Sequence, residues 1–327
     1  MFPISQMNTI KFLVDTSLAI KPGENVLIIA DTDENVEIAA MMAAVAKSVG
    51  AEVAITIIDP RKDFNHEPPK FVAESMKHAD VVIGVIYTLM HTKAREAAQS
   101  AGARFASLGG VGKDYLANLD FGIEDLNLIE KRATRLAEMM TQAKTAKVTS
   151  DQGTHLTMSL LNRKGIAMLP VCRDPGAYCY LPDYSEVPCP PVEGTAEGIL
   201  VIDGTILGST ELDRVVKEPI TLKIKEGRII EILGGKDAKD LEKILKNSNS
   251  NAKVVAELGI GTNHKVKKLR GIRKDDAMLG TLHIGFGKNN HIGGQMESVV
   301  HIDLMVKKPT LELDGSVIIE KGEFKMN

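Results

Sequence analysis

Between Gly280 and Met305 three histidines, His283, His291 and His301, share one glycine-broken stretch with apolar flanks, and His301 stands two residues before Asp303. In an extended strand, residues i and i+2 face the same side. His301 and Asp303 therefore present an imidazole nitrogen and a carboxylate together, a donor pair suited to a divalent transition metal. Thr281 to Phe286 reads as a second strand, ended by Gly287-Lys-Asn-Asn290, which lets His283 meet His301 across neighbouring strands. A single strand histidine is ordinarily satisfied by backbone partners. Two histidines and an aspartate converging on one sheet are the pattern of metal ligands.

Other candidates are more ambiguous from pattern alone. Glu257 lies between an apolar run and two glycines in Val254-Val-Ala-Glu257-Leu-Gly-Ile-Gly. A carboxylate there is either an exposed edge residue or a buried one needing a partner or a metal. Glu186 falls in a proline-framed loop, Leu181 to Pro191, of a kind that usually only connects elements. Asp276, in Lys274-Asp275-Asp276, reads either as a solvated turn or as a further ligand. His264 and His291 suit surface positions or outer contacts to a metal site. Tyr178, Tyr180 and Tyr184 cluster with two cysteines as ordinary packing.

The elements that must position these residues follow from hydrophobic spacing. The chain of 327 residues has length for about two domains. Ile4, Met7, Ile10, Leu13, Val14 and Leu18 recur at helical intervals. Strands over Asn25–Ala30, Glu52–Ile58, Val81–Ile86 and Arg104–Leu108 alternate with helices, the pattern of a doubly wound parallel sheet. Such sheets bind ligands beyond their strands' carboxyl ends. The first of those ends carries Asp31-Thr-Asp-Glu-Asn35, whose carboxylates would repel a pyrophosphate, so a nucleotide cofactor is disfavoured and Asp31, Thr32 or Asp33 reads as a helix cap. A long amphipathic helix runs from Glu124 to Ala146. Short strands and turns follow, with hairpin signals at Glu226-Gly227 and Asp314-Gly315 and a helix over Asp237–Lys246. The fold class expected is an α/β N-terminal domain with a doubly wound parallel sheet over residues 1–125. A mainly antiparallel β, barrel-like C-terminal metal-binding domain follows over residues 126–327, with residues 126–146 as the bridging helix.

Composition narrows the function. The net charge of −3 offers no basic surface for nucleic acid, and no apolar run approaches the roughly 20 residues of a membrane helix. The N-terminal residues lack the basic and apolar regions of a signal peptide. Cys172, Cys179 and Cys189 are sparse and match no C-x-x-C template. A cytoplasmic protein is expected, with neither nucleic acid nor membrane as partner.

Taken together, Tyr184-Ser-Glu186-Val-Pro, Glu193-Gly-Thr-Ala-Glu-Gly198, Ala256-Glu257-Leu-Gly-Ile-Gly-Thr-Asn263, Gly280-Thr-Leu-His283-Ile-Gly-Phe-Gly287 and His301-Ile-Asp303 resemble the aminopeptidase T family of metallopeptidases, most specifically over residues 180–305. The resemblance implies a homodimeric two-metal exopeptidase whose ligands are Glu186, Glu257, His283, His301 and Asp303. Glu257 would be the bridging carboxylate, and Asp276 best matches a further acidic ligand. One departure stands out. Where the family's peptidases carry a tyrosine soon after the His283 equivalent, this chain has Phe286-Gly-Lys-Asn-Asn290, with Asn290 nearest. Short relatives that look similar include dihydroxypyridine dioxygenases, which use one ferrous ion; His283, His301 and Asp303 would supply their two-histidine-one-carboxylate set.

The leading expectation is a metal-dependent aminopeptidase-like hydrolase removing N-terminal residues from small peptides. Two divalent ions per chain (zinc, cobalt, manganese or iron) would polarise the carbonyl and supply a hydroxide, with Glu186 and Glu257 as the catalytic carboxylates. The alternatives are a non-haem iron ring-cleaving dioxygenase and a non-catalytic metal-binding protein.

Overall fold

The first compact unit, Met1–Asn127 with Leu169–Tyr184, is built on a five-stranded, wholly parallel sheet. The structure, a computed structural model, describes residues 4–60, 66–86, 89, 92–208 and 211–325. The strands run in the order Glu52–Ile57, Asn25–Ala30, Val81–Val85, Arg104–Ser107 and Tyr178–Tyr180. The apolar runs Asn25–Ala30 and Val81–Val85 are buried almost throughout, as central parallel strands must be. Thr32 caps the helix Asp33–Val49 by accepting a hydrogen bond from the Asn35 N–H, and Gly50, at φ 99°, ends it in the left-handed region. The expected helix at the N-terminus is present as Ile4–Phe12, continuing as a π turn over Leu13–Ser17. The fifth strand is not apparent from local pattern. It comes from far along the chain, where Tyr178 to Tyr180 pair with Phe105 to Ser107.

The second unit, Leu128–Met168 with Ser185–Asn327, holds two antiparallel sheets. The eight-stranded sheet contains both hairpins expected from sequence. Glu226 and Gly227 have φ of 49° and 69°, and Asp314 and Gly315 have 47° and 82°, the all-positive turns that match strand twist. The long helix is shorter than expected. It spans Ile123–Gln142, not Glu124 to Ala146, and so does not fill the expected bridge over 126–146. The Asp314 carboxylate takes the backbone N–H groups of Lys144 and Thr145, and Thr145, β-branched, opens a strand paired with Ser159.

The six-stranded sheet positions the candidate residues. Its order is Arg214–Val215, Thr205–Leu207, His301–Lys307, Thr281–Gly287, Val255–Gly261 and Glu186–Cys189. Directly opposed residues share a face, and the register aligns Glu257, Gly285 and Asp303 in one row, with Gly259, His283 and Met305 in the next. Glu186 opposes Gly261, and His301 opposes Gly287. All five donors from the strands therefore project from one face. The other face carries Leu258, Ile260, Leu282, Ile284, Phe286, Ile302 and Leu304, all buried. Period-two alternation thus separates a polar site from an apolar core within single strands. Because Ile284 has no exposed surface, Ile284→Ala should cost about 2–5 kcal/mol of stability, read as a fall in the urea midpoint at unchanged m-value.

Candidate metal centre

Glu257 occupies the middle of the site. Its Oε1 lies 3.2 Å from His283 Nε2, and its Oε2 lies 3.2 Å from His301 Nε2. His283 and His301 sit on adjacent strands but four residues out of register. They do not meet directly; one carboxylate spans them. A register shift between Val255 and Glu257 marks a bulge before this residue, a device that commonly re-aims a side chain.

Around His283, Glu186 Oε2 lies 3.4 Å from Nε2 and Asp276 Oδ1 lies 3.7 Å from Nδ1. Around His301, Asp303 Oδ1 lies 3.1 Å from Nε2, while Nδ1 is 2.7 Å from the Lys288 carbonyl. The carbonyl can only accept, so Nδ1 carries a proton and donates it to Lys288, and Nε2 is the nitrogen that faces the carboxylates, the orientation a metal ligand needs. Arg273 holds Asp303 Oδ2 at 3.0 Å. Glu186, Glu257, Asp276, His283 and Asp303 are all buried, and His301 is partly exposed.

The paired aspartates are sorted by the backbone. Asp275 accepts from the Arg270 and Gly271 N–H groups and from Thr205 Oγ1, so its role is structural. Asp276, on the same short 3-10 turn, is left for His283. It is no solvated turn residue. Nor is Glu257 an exposed edge residue, and Glu186 opens a buried strand where a connecting loop is the simpler reading of the sequence.

Glycines leave the room this cluster needs. A Cβ at Gly285 would lie 2.7 Å from Glu257 Cβ, 3.0 Å from Asp303 Oδ1 and 3.2 Å from His301 Cε1, and one at Gly259 would lie 1.9 Å from His283 Nε2. The site face is thus a trough, floored by bare backbone.

Burial and mutual repulsion shape the charges. Burial pushes the Glu186 and Asp276 carboxyls up, Asp276 well above its ordinary value. Burial opposes ionisation of Glu257 too, but hydrogen bonds from His283 and His301 draw it down to about 2. Asp303 is also lowered, burial being overcome by His301. For His283, burial works downward yet Asp276, Glu257 and Glu186 raise it to about 10; His301 is likewise held well above its ordinary value by Asp303 and Glu257.

The donor set fits a divalent ion. Metal bonds of roughly 2.0–2.2 Å at right angles leave neighbouring donors about 3 Å apart, close to the spacings here. Glu186 Oε2, both Asp276 oxygens and Asp303 Oδ1 are buried with no hydrogen-bond partner, which is costly unless a cation takes them. Among the described residues, two groups bring three ligand atoms within 4.8 Å of one another: Glu257 with His291 and His301, and Glu186 with Glu257 and His283. Both share Glu257. His283, His301 and Asp303, the triad suggested by spacing, do not form one group. His291 is a candidate ligand that the sequence alone does not single out. Its ring stands edge-on to His301 at 5.0 Å, and burial followed by the His301 charge drives it down to about 3, a neutral imidazole. The only local signal was its place in the histidine-rich segment. His264 belongs to neither group, and Asn290 is exposed, its amide donating to Glu297.

Comparison with known proteins separates the functional readings. The family model for NicX, 2,5-dihydroxypyridine 5,6-dioxygenase, matches residues 14–326. The chain is 25% identical over 261 residues to 2,5-dihydroxypyridine 5,6-dioxygenase from Pseudomonas putida KT2440, covering 76% of this chain and 72% of that protein. The solved structure of the dihydroxypyridine dioxygenase from the same organism superposes with a TM-score of 0.85 at 18% identity, covering 98% of this chain and 97% of that one. Wild-type AmpT from Thermus thermophilus superposes at 0.73 and 15% identity, each chain wholly covered. The two superpositions establish a shared fold of a parallel α/β unit and an antiparallel β unit. They also tie the aminopeptidase T resemblance to a related structure. The family match identifies an enzyme but overturns the expected aminopeptidase-like hydrolase: the matching family is a dioxygenase, so neither peptide hydrolysis nor a protease role stands. No helix among the described residues is long and apolar enough to cross a membrane.

Two outcomes follow from the geometry. In the metal-free protein Asp303 and Glu257 hold His301 well above its ordinary value, which favours its protonated form, and a divalent ion that takes His301 Nε2 must displace the proton there. Calorimetry in buffers of different ionisation enthalpy should therefore show net proton release on metal binding. Gly285→Ala should lower stability by about 1–3 kcal/mol through overpacking and weaken metal binding at least tenfold, measured by thermal melts and metal titration.

Proposed function

The chain belongs to the 2,5-dihydroxypyridine 5,6-dioxygenase family, and from that premise we propose that it opens the ring of a dihydroxylated pyridine or a closely related aromatic substrate using one ferrous ion. The observation that carries this reading is the group Glu257, His291 and His301. Two histidines and one carboxylate with positions left open are the donor set of non-haem iron oxygenases. Both histidines of this group are only partly buried, whereas Glu186, Glu257 and His283 are all sealed. The first group is the one that a substrate can reach.

Glu257, His291 and His301 would hold the ion, with Asp303 beside His301 as a further oxygen donor. When bound, ferrous iron supplies the one-electron chemistry that allows dioxygen to react with an electron-rich ring. The chain's own residues do the rest. The Lys288 carbonyl fixes the His301 tautomer, and Arg273 holds the Asp303 carboxylate in place. Glu186, sealed beside His283 with Oε2 3.4 Å from Nε2, would hold a proton next to the donor group without touching the ring. The expected homodimer is part of the same proposal.

Protein purified anaerobically and loaded with ferrous iron should hold about one ion per chain and consume one dioxygen per ring opened when given 2,5-dihydroxypyridine, followed by an oxygen electrode and the loss of ring absorbance. His301→Ala should lower the rate by more than about 100-fold, beyond the 10–100-fold typical of losing an outer hydrogen-bond partner. Loaded protein with no oxygen uptake on any dihydroxylated ring would sink the proposal.

A further inference from the structure

The Glu193-Gly-Thr-Ala-Glu-Gly198 stretch has no part in the chemistry described so far. Its first residue nevertheless reaches a loop about a hundred positions away. Glu193 Oε1 accepts hydrogen bonds from Asn289 Nδ2 at 2.9 Å and from the Gln295 N–H at 2.9 Å, while its Oε2 pairs with Arg163. Arg163 in turn donates to the Gly293 carbonyl.

Asn289 is the hub of that loop and has no exposed surface. Besides Glu193, its Nδ2 donates to the Ala256 carbonyl at 3.2 Å, and its Oδ1 accepts from the Met296 N–H at 2.7 Å. Its backbone N–H donates to Met296, and its carbonyl accepts from Ile292 and Gly294. A Cβ on Gly294 would fall 2.1–2.3 Å from the Asn289 amide, so the loop closes this tightly only because residue 294 is glycine.

The loop between Lys288 and Met296 carries the two features that define the accessible donor group. One is the Lys288 carbonyl, 2.7 Å from His301 Nδ1. The other is His291, edge-on to His301. The Asn289 bond to Ala256 ties the same loop to the bulge immediately before Glu257. Glu193 and Asn289 therefore brace all three donors of the group from one side.

We propose that Glu193, acting through Asn289, is a positioning residue that sets the relative orientation of His291, His301 and Glu257 for metal binding. This rests on the metal-centre reading above. A carboxylate suits the task because it accepts from Asn289 and Gln295 on one oxygen while Arg163 neutralises the other, so the brace costs no unpaired buried charge. Hydrogen-bond partners outside a metal's own ligands commonly govern affinity to this extent.

Cobalt(II) binding to the full-length protein tests the proposal independently of turnover. The affinity and visible absorption bands of bound cobalt would be measured for wild type, Glu193→Ala, Glu193→Gln and Gly294→Ala, with metal-free melting curves alongside. Glu193→Ala should bind cobalt 10–100-fold more weakly with altered bands. Gly294→Ala, which displaces Asn289 from the opposite side, should share that phenotype. Glu193→Gln, which keeps an acceptor oxygen for Asn289 and Gln295, should recover most of the affinity. Wild-type affinity and bands in Glu193→Ala would overturn the brace while leaving the metal centre standing. A lowered melting temperature with unchanged cobalt bands would reduce Glu193 to a structural role and overturn it equally. Absence of stoichiometric cobalt binding in wild type would remove the metal centre and the brace together.

Discussion

Keeping four carboxylates out of water is the constraint on which the β unit depends. Glu186, Glu257, Asp276 and Asp303 are each at most 3% exposed. An isolated carboxylate in such a place would be forced to take up a proton or be driven to the surface. Here two imidazoles and the Arg273 guanidinium are interleaved with them, so Glu257 and Asp303 stay ionised while Glu186 and Asp276 are pushed towards protonation. The balance is incomplete without a further cation, since several buried oxygens still have no hydrogen-bond partner. The cluster is therefore a poor source of stability for the metal-free protein, and the apolar side of the same sheet has to supply it.

That division of labour explains the glycines. A sheet that carries its core on one face has large side chains at every second position, and Leu258, Ile260, Leu282 and Ile284 fill that role. The intervening positions must hold both donors and the space between donors. Gly259 and Gly285 provide the space, because any Cβ there would meet His283 or Glu257. A strand interior ordinarily loses stability by including glycine. In this sheet the cost is borne so that side chains from four neighbouring strands can converge.

How much of this is legible in the sequence depends on the range of the interaction. The parallel α/β unit is readable because its strands are short apolar runs between capped helices, and Thr32 and Gly50 mark their boundaries by local chemistry. The His301 and Asp303 pair is readable because two-residue spacing alone decides its geometry. Glu257 is not, since its burial depends on strands on either side, and Glu186 emerges only through resemblance to other proteins. Asp276 and Asp275 are indistinguishable in sequence; the Arg270 and Gly271 backbone separates them. The fifth strand of the parallel sheet requires a segment distant along the chain to return, and the approach of His291 to His301 depends on how the loop between two strands folds back; no local pattern records either. The helix ends at Gln142, and the carboxylate that takes the backbone N–H groups just beyond it, at Lys144 and Thr145, is Asp314, far along the chain.

Reaction type lies further still from local pattern. A carboxylate-rich site with two histidines serves hydrolysis or oxygen chemistry equally well by donor type, and structures named for each activity share this fold. Exposure distinguishes the two halves of the site. Around His283 the residues Glu186, Glu257 and Asp276 are all buried, whereas His291 and His301 in the other half are partly exposed. Two equivalent ions acting on one carbonyl would call for both halves to be reachable from the substrate. A single redox ion needs one open half, and it benefits from a sealed neighbour that can hold a proton while water is kept away. The asymmetry of burial across Glu257 thus agrees with the family match on physical grounds independent of sequence similarity.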